Sequence, residues 1–296
     1  MRVEPFFDYA RRRQQIFLDR RAGKPAPWTD DPVLRDYRFT NIFREDDKVT
    51  VWFRENIRDP MKNSPDVLLA TVIFRWFNRI ETAELLLEDD LFRGWDGVVA
   101  GRVLSGRSPV VTGAYIIKTP AGMDKLNGVI WCIDTFIREK RAVGSLEPLR
   151  WHAYAQSMLR DKSWTLQEAW NWLRQFPYMG DFMAYEVVTD LRHTKLLRDA
   201  PDVNRWANPG PGAARGLCRL LDKPLDHFDR HNKRDREEMI ELMQLLLNKA
   251  CAGHLWPAEW GWWEMREVEH TLCEWDKFER ARLGEGRPRQ RFTSST

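Results

Sequence analysis

The stretch with the clearest capacity for chemistry is Phe176-Pro177-Tyr178-Met179-Gly180, with Asp202 following 22 residues after Gly180. A tight Pro/Gly turn between two helices leaves backbone N–H groups at the start of the second helix, and these suit a phosphate oxygen. An ordinary αα-hairpin fits the same pattern. A second set is Tyr37-Arg38-Phe39-Thr40-Asn41 with Arg44, a dense mix of aromatic, Arg and Asn residues with no clean period. Such a block suits a buried polar network or a ligand site better than a plain surface loop. A third set is Arg75, Asn78 and Arg79 at the end of an apolar run. An arginine beside a buried helix is costly unless it meets a carboxylate or a phosphate, so an ion pair and ligand binding both stay open.

Two weaker signals lie towards the C-terminus. Asn208-Pro209-Gly210-Pro211-Gly212-Ala213 is a second glycine turn, whose Gly210 and Gly212 could hold backbone close to a phosphate. A lone Gly-x-Gly is little evidence. Glu269 and Asp276 stand seven apart on one helix face, where they can bind a cationic amine or pair with arginine; His270 beside them reads as structural.

The elements that must position these residues are helices. Thr165-Leu166-Gln167-Glu168 is a capping box that opens the first hairpin helix through Ala169, Trp172, Leu173 and Phe176, and Phe182 to Leu191 continue with helical spacing. Residues 5–21 read as a basic amphipathic helix, with Arg11, Arg12, Arg13, Arg20 and Arg21 as a solvated or DNA-facing side. Asp66 to Arg79 is apolar almost all round and should be central, and Lys125 opens another long apolar helix. Further helices are expected over 47–57, 81–91, 149–159, 214–221, 237–251 and 264–282. Residues 109–119 are the one β-type stretch, expected as a small hairpin or extended arm, and Asp229 to Glu238 reads as a solvated charge run. The fold class is mainly α, with at most a small β hairpin. One helical domain over 1–283 is expected, divisible into two lobes with the hairpin lobe at about 124–225, followed by a basic disordered tail at 284–296.

Composition narrows the class. With 31% charged and 43% hydrophobic residues in 296, the chain reads as soluble and globular with ample length for a core. A net charge of +3 is too small by itself to declare a nucleic-acid binder. Fifteen tryptophans supply core and leave a surplus of flat side chains suited to base stacking. Cys132, Cys218, Cys251 and Cys273 lie too far apart for zinc or iron–sulfur spacing, and read as thiols in a reducing cytoplasm. Neither a signal peptide nor a membrane span is expected, so no membrane partner is either.

The hairpin followed by Ala200-Pro201-Asp202-Val203-Asn204-Arg205-Trp206 resembles the helix-hairpin-helix DNA glycosylase superfamily. That resemblance gives Pro177, Tyr178, Met179 and Gly180 a DNA-backbone role and makes Asp202 the catalytic carboxylate. Tyr178 stands where the first hairpin glycine is usual, Phe182 replaces the Schiff-base lysine of lyase-type enzymes, and the four-cysteine cluster of some members is missing.

A narrower resemblance covers nearly the whole chain. Tyr37–Asn41 with Arg44, Phe74-Arg75-Trp76-Phe77-Asn78-Arg79, Gly210–Ala213 with Gly216-Leu217, and Val268-Glu269-His270 with Leu272–Lys277 are similar to the alpha-glutamyl/putrescinyl thymine pyrophosphorylases, or amino acid:DNA transferases. The same helical domain is found beside 5-hydroxymethyluracil DNA kinases. No kinase phosphate loop of the Gly-x-x-x-x-Gly-Lys-Ser/Thr type appears in this sequence.

What the resemblance implies is a cytoplasmic step in thymine hypermodification in a phage-infected bacterium. DNA carrying 5-pyrophosphoryloxymethyluracil would exchange pyrophosphate for an amino acid or polyamine, in concert with a 5-hydroxymethyluracil DNA kinase. The implied substrate set is Arg38, Asn41, Arg44, Arg75, Asn78, Lys125 and Glu269, with Gly210 and Gly212 on the DNA. Asp202 would act as base or electrostatic stabiliser. No cofactor is identified; the family allows a divalent metal with the pyrophosphate, and no carboxylate cluster in the sequence argues for one. A DNA N-glycosylase, or a non-catalytic DNA-binding helical module partnering a kinase, stands as the alternative.

Overall fold

The computed structural model describes residues 1–138, 151–288 and 290–292. The chain is mainly helical, as its composition and periodicity predict. It forms two compact units, one from Met1–Asp47 with the chain after Asp202, the other from Lys48–Asp202.

The first unit opens with α1 (Glu4–Arg21) and α2 (Pro32–Asp36). The second holds α3 (Lys48–Phe53), α4 (Asp59–Met61), α5 (Val67–Phe77), α6 (Ile80–Glu88), α7 (Gly97–Leu104) and α8 (Lys125–Arg138). It continues with α9 (Trp151–Arg160), α10 (Leu166–Leu173) and α11 (Asp181–Leu191). The chain then returns to the first unit for α12 (Pro211–Leu221), α13 (Lys233–Cys251) and α14 (Met265–Arg282). Among the described residues no helix is long and apolar enough to cross a membrane.

In the first unit α14 is the central post, with α1, α12 and α13 packed on it. The buried face of α1 runs through Phe6, Tyr9, Ala10, Arg13 and Ile16, a spacing of three and four that makes one stripe. Phe6 meets Trp263 and Trp275 edge-on, so the Trp256–Trp263 cluster is largely core, with Trp262 left exposed. The helix expected from Glu237 begins earlier, at Lys233. Asn232 Oδ1 accepts the Arg234 N–H at 2.9 Å and caps it, so the charge run from Lys233 on belongs to this helix.

In the second unit every residue of α5 is buried, and α11 is buried from Met183 to Leu191. These two helices pack together as its centre. Asn78 ends α5 in the left-handed conformation, at φ 45° and ψ 43°, one of the few places where a short amide side chain replaces glycine.

Two expectations need correction. Residues 109–119 form no strand; they run as irregular backbone pinned by Thr112 N–H to Phe77 O and Thr82 Oγ1 to Val110 O, both 2.8 Å. A β-branched run without a partner strand has no ladder to join. The unit that holds the hairpin spans 48–202 rather than 124–225, because α12 packs on α14 instead. Of the basic tail, residues 284–288 and 290–292 are described. Tyr37 and Arg291 form an antiparallel bridge, and Phe292 stands edge-on to Trp28. Residues 149 and 150 of the expected 149–159 helix lie outside the described residues, as do 289 and 293–296 of the tail.

Candidate functional site

In the first unit three of the sequence blocks converge on α14. Its Glu274 turn faces the 37–47 loop. Glu274 Oε2 accepts the Thr40 N–H at 3.0 Å, and Lys277 Nζ reaches both Glu274 oxygens at 3.0 and 2.8 Å. His270 Nε2 lies 2.7 Å from Thr40 Oγ1 and 3.2 Å from Asn41 O. Lys277 also sits over the Phe39 ring, 4.8 Å from its centroid.

The loop is held from its other side by α1. Arg13, buried, donates from Nε to Thr40 O at 3.0 Å and from Nη2 to Asn41 Oδ1 at 2.5 Å. Asn41 in turn donates from Nδ2 to Asp46 O at 2.8 Å, and its backbone N–H meets Asp47 Oδ1 at 3.0 Å. Asn41 is therefore the latch of the loop. Burial pushes the Asp47 carboxyl up to about 6, against the pull of neighbouring Arg44 and Arg13. Burial also works against the Glu274 charge, but Lys277 and His270 outweigh it and hold its carboxyl below the usual range. Arg44 is half-buried on this loop; Arg38 is exposed, with its backbone N–H on Gln290 O at 3.1 Å.

On another face of α14 lies α12. Glu269 Oε1 accepts the Gly210 N–H at 2.9 Å, just before α12 begins. Gly212 and Gly216 are needed for the contact itself. A Cβ at Gly212 would collide with Cys273 Sγ and stand 3.1 Å from Cys273 Cα, and one at Gly216 would lie 2.7 Å from Leu272 O. Close helix packing therefore accounts for Gly212, where a DNA contact is expected. Asp276, fully buried, pairs with Arg215 and Arg219 at 2.9 and 3.0 Å. Of the two carboxylates seven apart, Asp276 pairs with arginine while Glu269 caps a helix.

In the second unit α10 and α11 form the expected helix–turn–helix. Thr165 and Glu168 make the capping box that the sequence shows. Asp202, 36 residues away, completes it: Oδ1 accepts the Leu166 N–H at 2.8 Å and Oδ2 the Gln167 N–H at 3.0 Å. The first N–H groups of α10 thus have acceptors, one from the box and two from Asp202. Burial raises the Asp202 pKa, partly offset by those two backbone bonds. In the turn, Met179 is buried while Pro177, Tyr178 and Gly180 are exposed, and nothing lies within 4 Å of a Cβ built at Gly180.

Three residues expected at the pyrophosphate take other partners. Arg75, 1% exposed, makes two parallel bonds to Asp190, a third to Asn78 Oδ1 at 2.9 Å, and lies 3.5 Å from Glu186. Burial opposes its charge, and the Asp190 and Glu186 carboxylates overcome that, so its pKa is raised. The ion-pair alternative is the one these contacts fit. Asn78 is the helix end that receives Arg75. Lys125 donates to Ile117 O at 2.7 Å and Thr119 Oγ1 at 3.2 Å, tying down the irregular segment.

Arg38, Asn41, Arg44, Glu269 and Gly210 are thus gathered around α14, while Asp202, Pro177 to Gly180, Arg75, Asn78 and Lys125 belong to the other unit. Asp47, together with Glu274 and Lys277 from the 268–277 block, completes the network, and Arg13, expected on a solvated or DNA-facing side, is buried in it instead. Arg13 was legible: it lies three after Ala10 on the apolar stripe, where a solvated arginine does not belong. No group of three or more His, Cys, Asp or Glu that could hold a metal ion occurs among the described residues.

Comparison with known proteins places the chain in a family. The profile described as "5-hmdU DNA kinase, helical domain" matches residues 2–287. A 5-hmdU DNA kinase of Bacillus phage SP10 is 30% identical over 223 residues, 69% of this chain and 34% of that protein. The chain therefore spans about a third of the length of this curated relative. No solved structure matches. The match runs across both units, and the chain belongs to the 5-hmdU DNA kinase helical-domain family.

Proposed function

We propose that the chain acts in thymine hypermodification of DNA, replacing pyrophosphate on 5-pyrophosphoryloxymethyluracil with an amino acid or polyamine. The observation that carries this reading is the packing of two sequence blocks on α14: the 37–47 loop with Arg38 and Arg44 on one face, and the start of α12, held by Glu269 of α14, on another. Family membership supports DNA bearing a modified uracil as the substrate. The setting is the cytoplasm of a phage-infected bacterium.

In the reaction the methylene C–O bond to pyrophosphate breaks and a C–N bond to the amine forms. Pyrophosphate departs with its electron pair, and its growing charge is met by Arg38 and Arg44. The amine sheds one proton. The family resemblance offers Asp202 as the acceptor, and burial raises its affinity for a proton. Glu269 is the proposed partner for the cationic end of the incoming amine. Arg75 leaves the pyrophosphate set, because Asp190, Asn78 and Glu186 already engage its guanidinium. A target base in duplex DNA would be extruded to react, and the helix–turn–helix with exposed Gly180 is the proposed backbone grip.

A second reading is favoured by one observation: only about a third of the kinase relative is covered by the match, and the matching family is described as a helical domain. In that reading the chain binds DNA for a partner kinase and performs no transfer. One experiment separates them. The protein is incubated with DNA carrying 5-pyrophosphoryloxymethyluracil and a pool of amino acids and polyamines, and the digested nucleosides are read by mass spectrometry. Gain of one amine with loss of pyrophosphate establishes the transferase. Unchanged nucleosides with DNA bound support the module, and release of free base makes the chain a glycosylase.

A further inference from the structure

We propose that the turn between α10 and α11 carries a stacking surface for unpaired nucleobases of the DNA strand. The proposal rests on the DNA reading above and adds the state of the strand that is bound. Tyr178, 42% exposed, lies edge-on to Trp131 of α8, 37% exposed, with centroids 5.9 Å apart. Four residues on, Phe182 is 48% exposed and lies edge-on to Tyr115 at 4.9 Å. Two ring pairs, one on Tyr178 and one on Phe182 four residues later, with three of the four rings substantially open to solvent, exceed what a packed core needs.

These rings are held in place. Tyr115 donates its hydroxyl to Arg75 O at 3.1 Å, which fixes the ring against which Phe182 stands. Tyr178 has φ 63°, in the left-handed region that favours glycine and penalises a bulky side chain. A residue kept in that conformation with its ring turned outward contributes little that a glycine would not, unless the ring has a ligand. Phe182 on the first turn of α11 likewise has an apolar ring largely in water.

The charges beside the rings fit a polyanion. Lys118, exposed, follows Ile116, which is 72% exposed. Lys125 is held by the carbonyl of Ile117 and the hydroxyl of Thr119, both neutral, so its positive charge is not cancelled by those bonds. Of the nearby acids Asp181 is paired with Arg174 at 2.6 Å, while Asp124 accepts from the neutral amide of Asn127 and keeps its charge. Flat rings, with the exposed Lys118 three residues along the chain from Tyr115, suit bases and the phosphates that link them. In an intact duplex the base faces are stacked on one another and closed to such rings, so the surface selects unpaired bases.

The test is fluorescence anisotropy with a single-stranded oligothymidylate and with an intact duplex, at one fixed salt concentration. Tyr178→Gly removes a ring and also relieves the backbone. It should weaken single-strand binding about tenfold, change duplex binding less than about twofold, and leave the melting temperature unchanged or higher. Phe182→Ala should act in the same direction, and Tyr178→Phe should bind as the parent does. Single-strand affinity that survives both ring deletions, with duplex binding intact, overturns the stacking surface alone. Absence of binding to either form overturns it together with the DNA reading. A melting temperature that falls with each ring deletion makes the rings structural and overturns the proposal.

Discussion

Arg75 and Asp190 meet side-on inside the 48–202 unit, through N–H···O bonds of 2.5 and 2.7 Å, with both side chains almost completely removed from solvent. The pair joins the two most buried helices of that unit, α5 and α11. Bidentate geometry is what arginine offers and lysine does not. The arginine that sequence alone leaves between ligand and ion pair is spent on holding helices together.

Arg75→Ala should therefore destabilise the protein by about 3–5 kcal/mol, because Asp190 is left charged and without its fork in an apolar interior. Chemical denaturation measures it. Loss of turnover with unchanged stability would return Arg75 to the ligand set.

Asp202→Asn keeps the side-chain shape but replaces one acceptor oxygen by a donor facing a backbone N–H. The helix α10 should lose about 1 kcal/mol, while transfer activity should vanish if Asp202 takes the amine proton. Thr165→Ala removes a different cap of the same helix and should cost similar stability without abolishing turnover. Comparing the two by denaturation and by product mass separates capping from catalysis.

Acidification should at first stabilise the unit built around α14. Burial raises the Asp47 carboxyl to about 6 and Glu267 to about 7. Each folded-state pKa lies above its unfolded value, so the folded form binds these protons more tightly. Stability should then rise as pH falls from about 8 through about 6. Glu274, whose folded pKa is lowered, has the opposite sign and loses its contribution at lower pH. Asp47→Asn should flatten the rise. Denaturation midpoints across that range decide it, and a midpoint that falls steadily from pH 8 contradicts it.

Gly212→Ala should destabilise by about 1–3 kcal/mol, since the added methyl must displace Cys273 or part α12 from α14. Gly180→Ala should be nearly neutral, with open space around the new methyl and φ at −69°. If Gly180 grips a DNA backbone, the same methyl should weaken DNA binding without a change in melting temperature.

The sequence alone determined the helical class, the capping box at Thr165 and Glu168, the apolar centre at α5 and the helix–turn–helix around Gly180. Each of these is written in neighbouring residues, in caps and in spacings of three and four. It also singled out the blocks at 37–44, 210–217 and 268–277 before anything placed them together. The tertiary structure decided what they touch. Asp202 meets α10 across 36 residues, Arg13 reaches Asn41 across 28, and Glu269 reaches Gly210 across 59. Hydrogen bonds and ion pairs at such separations leave no local period, and a glycine needed for close helix packing looks in sequence like one needed for a phosphate. Residues 109–119 show the converse. Their β-branched pattern was plain, but a strand exists only when another strand pairs with it, and that is settled by the fold.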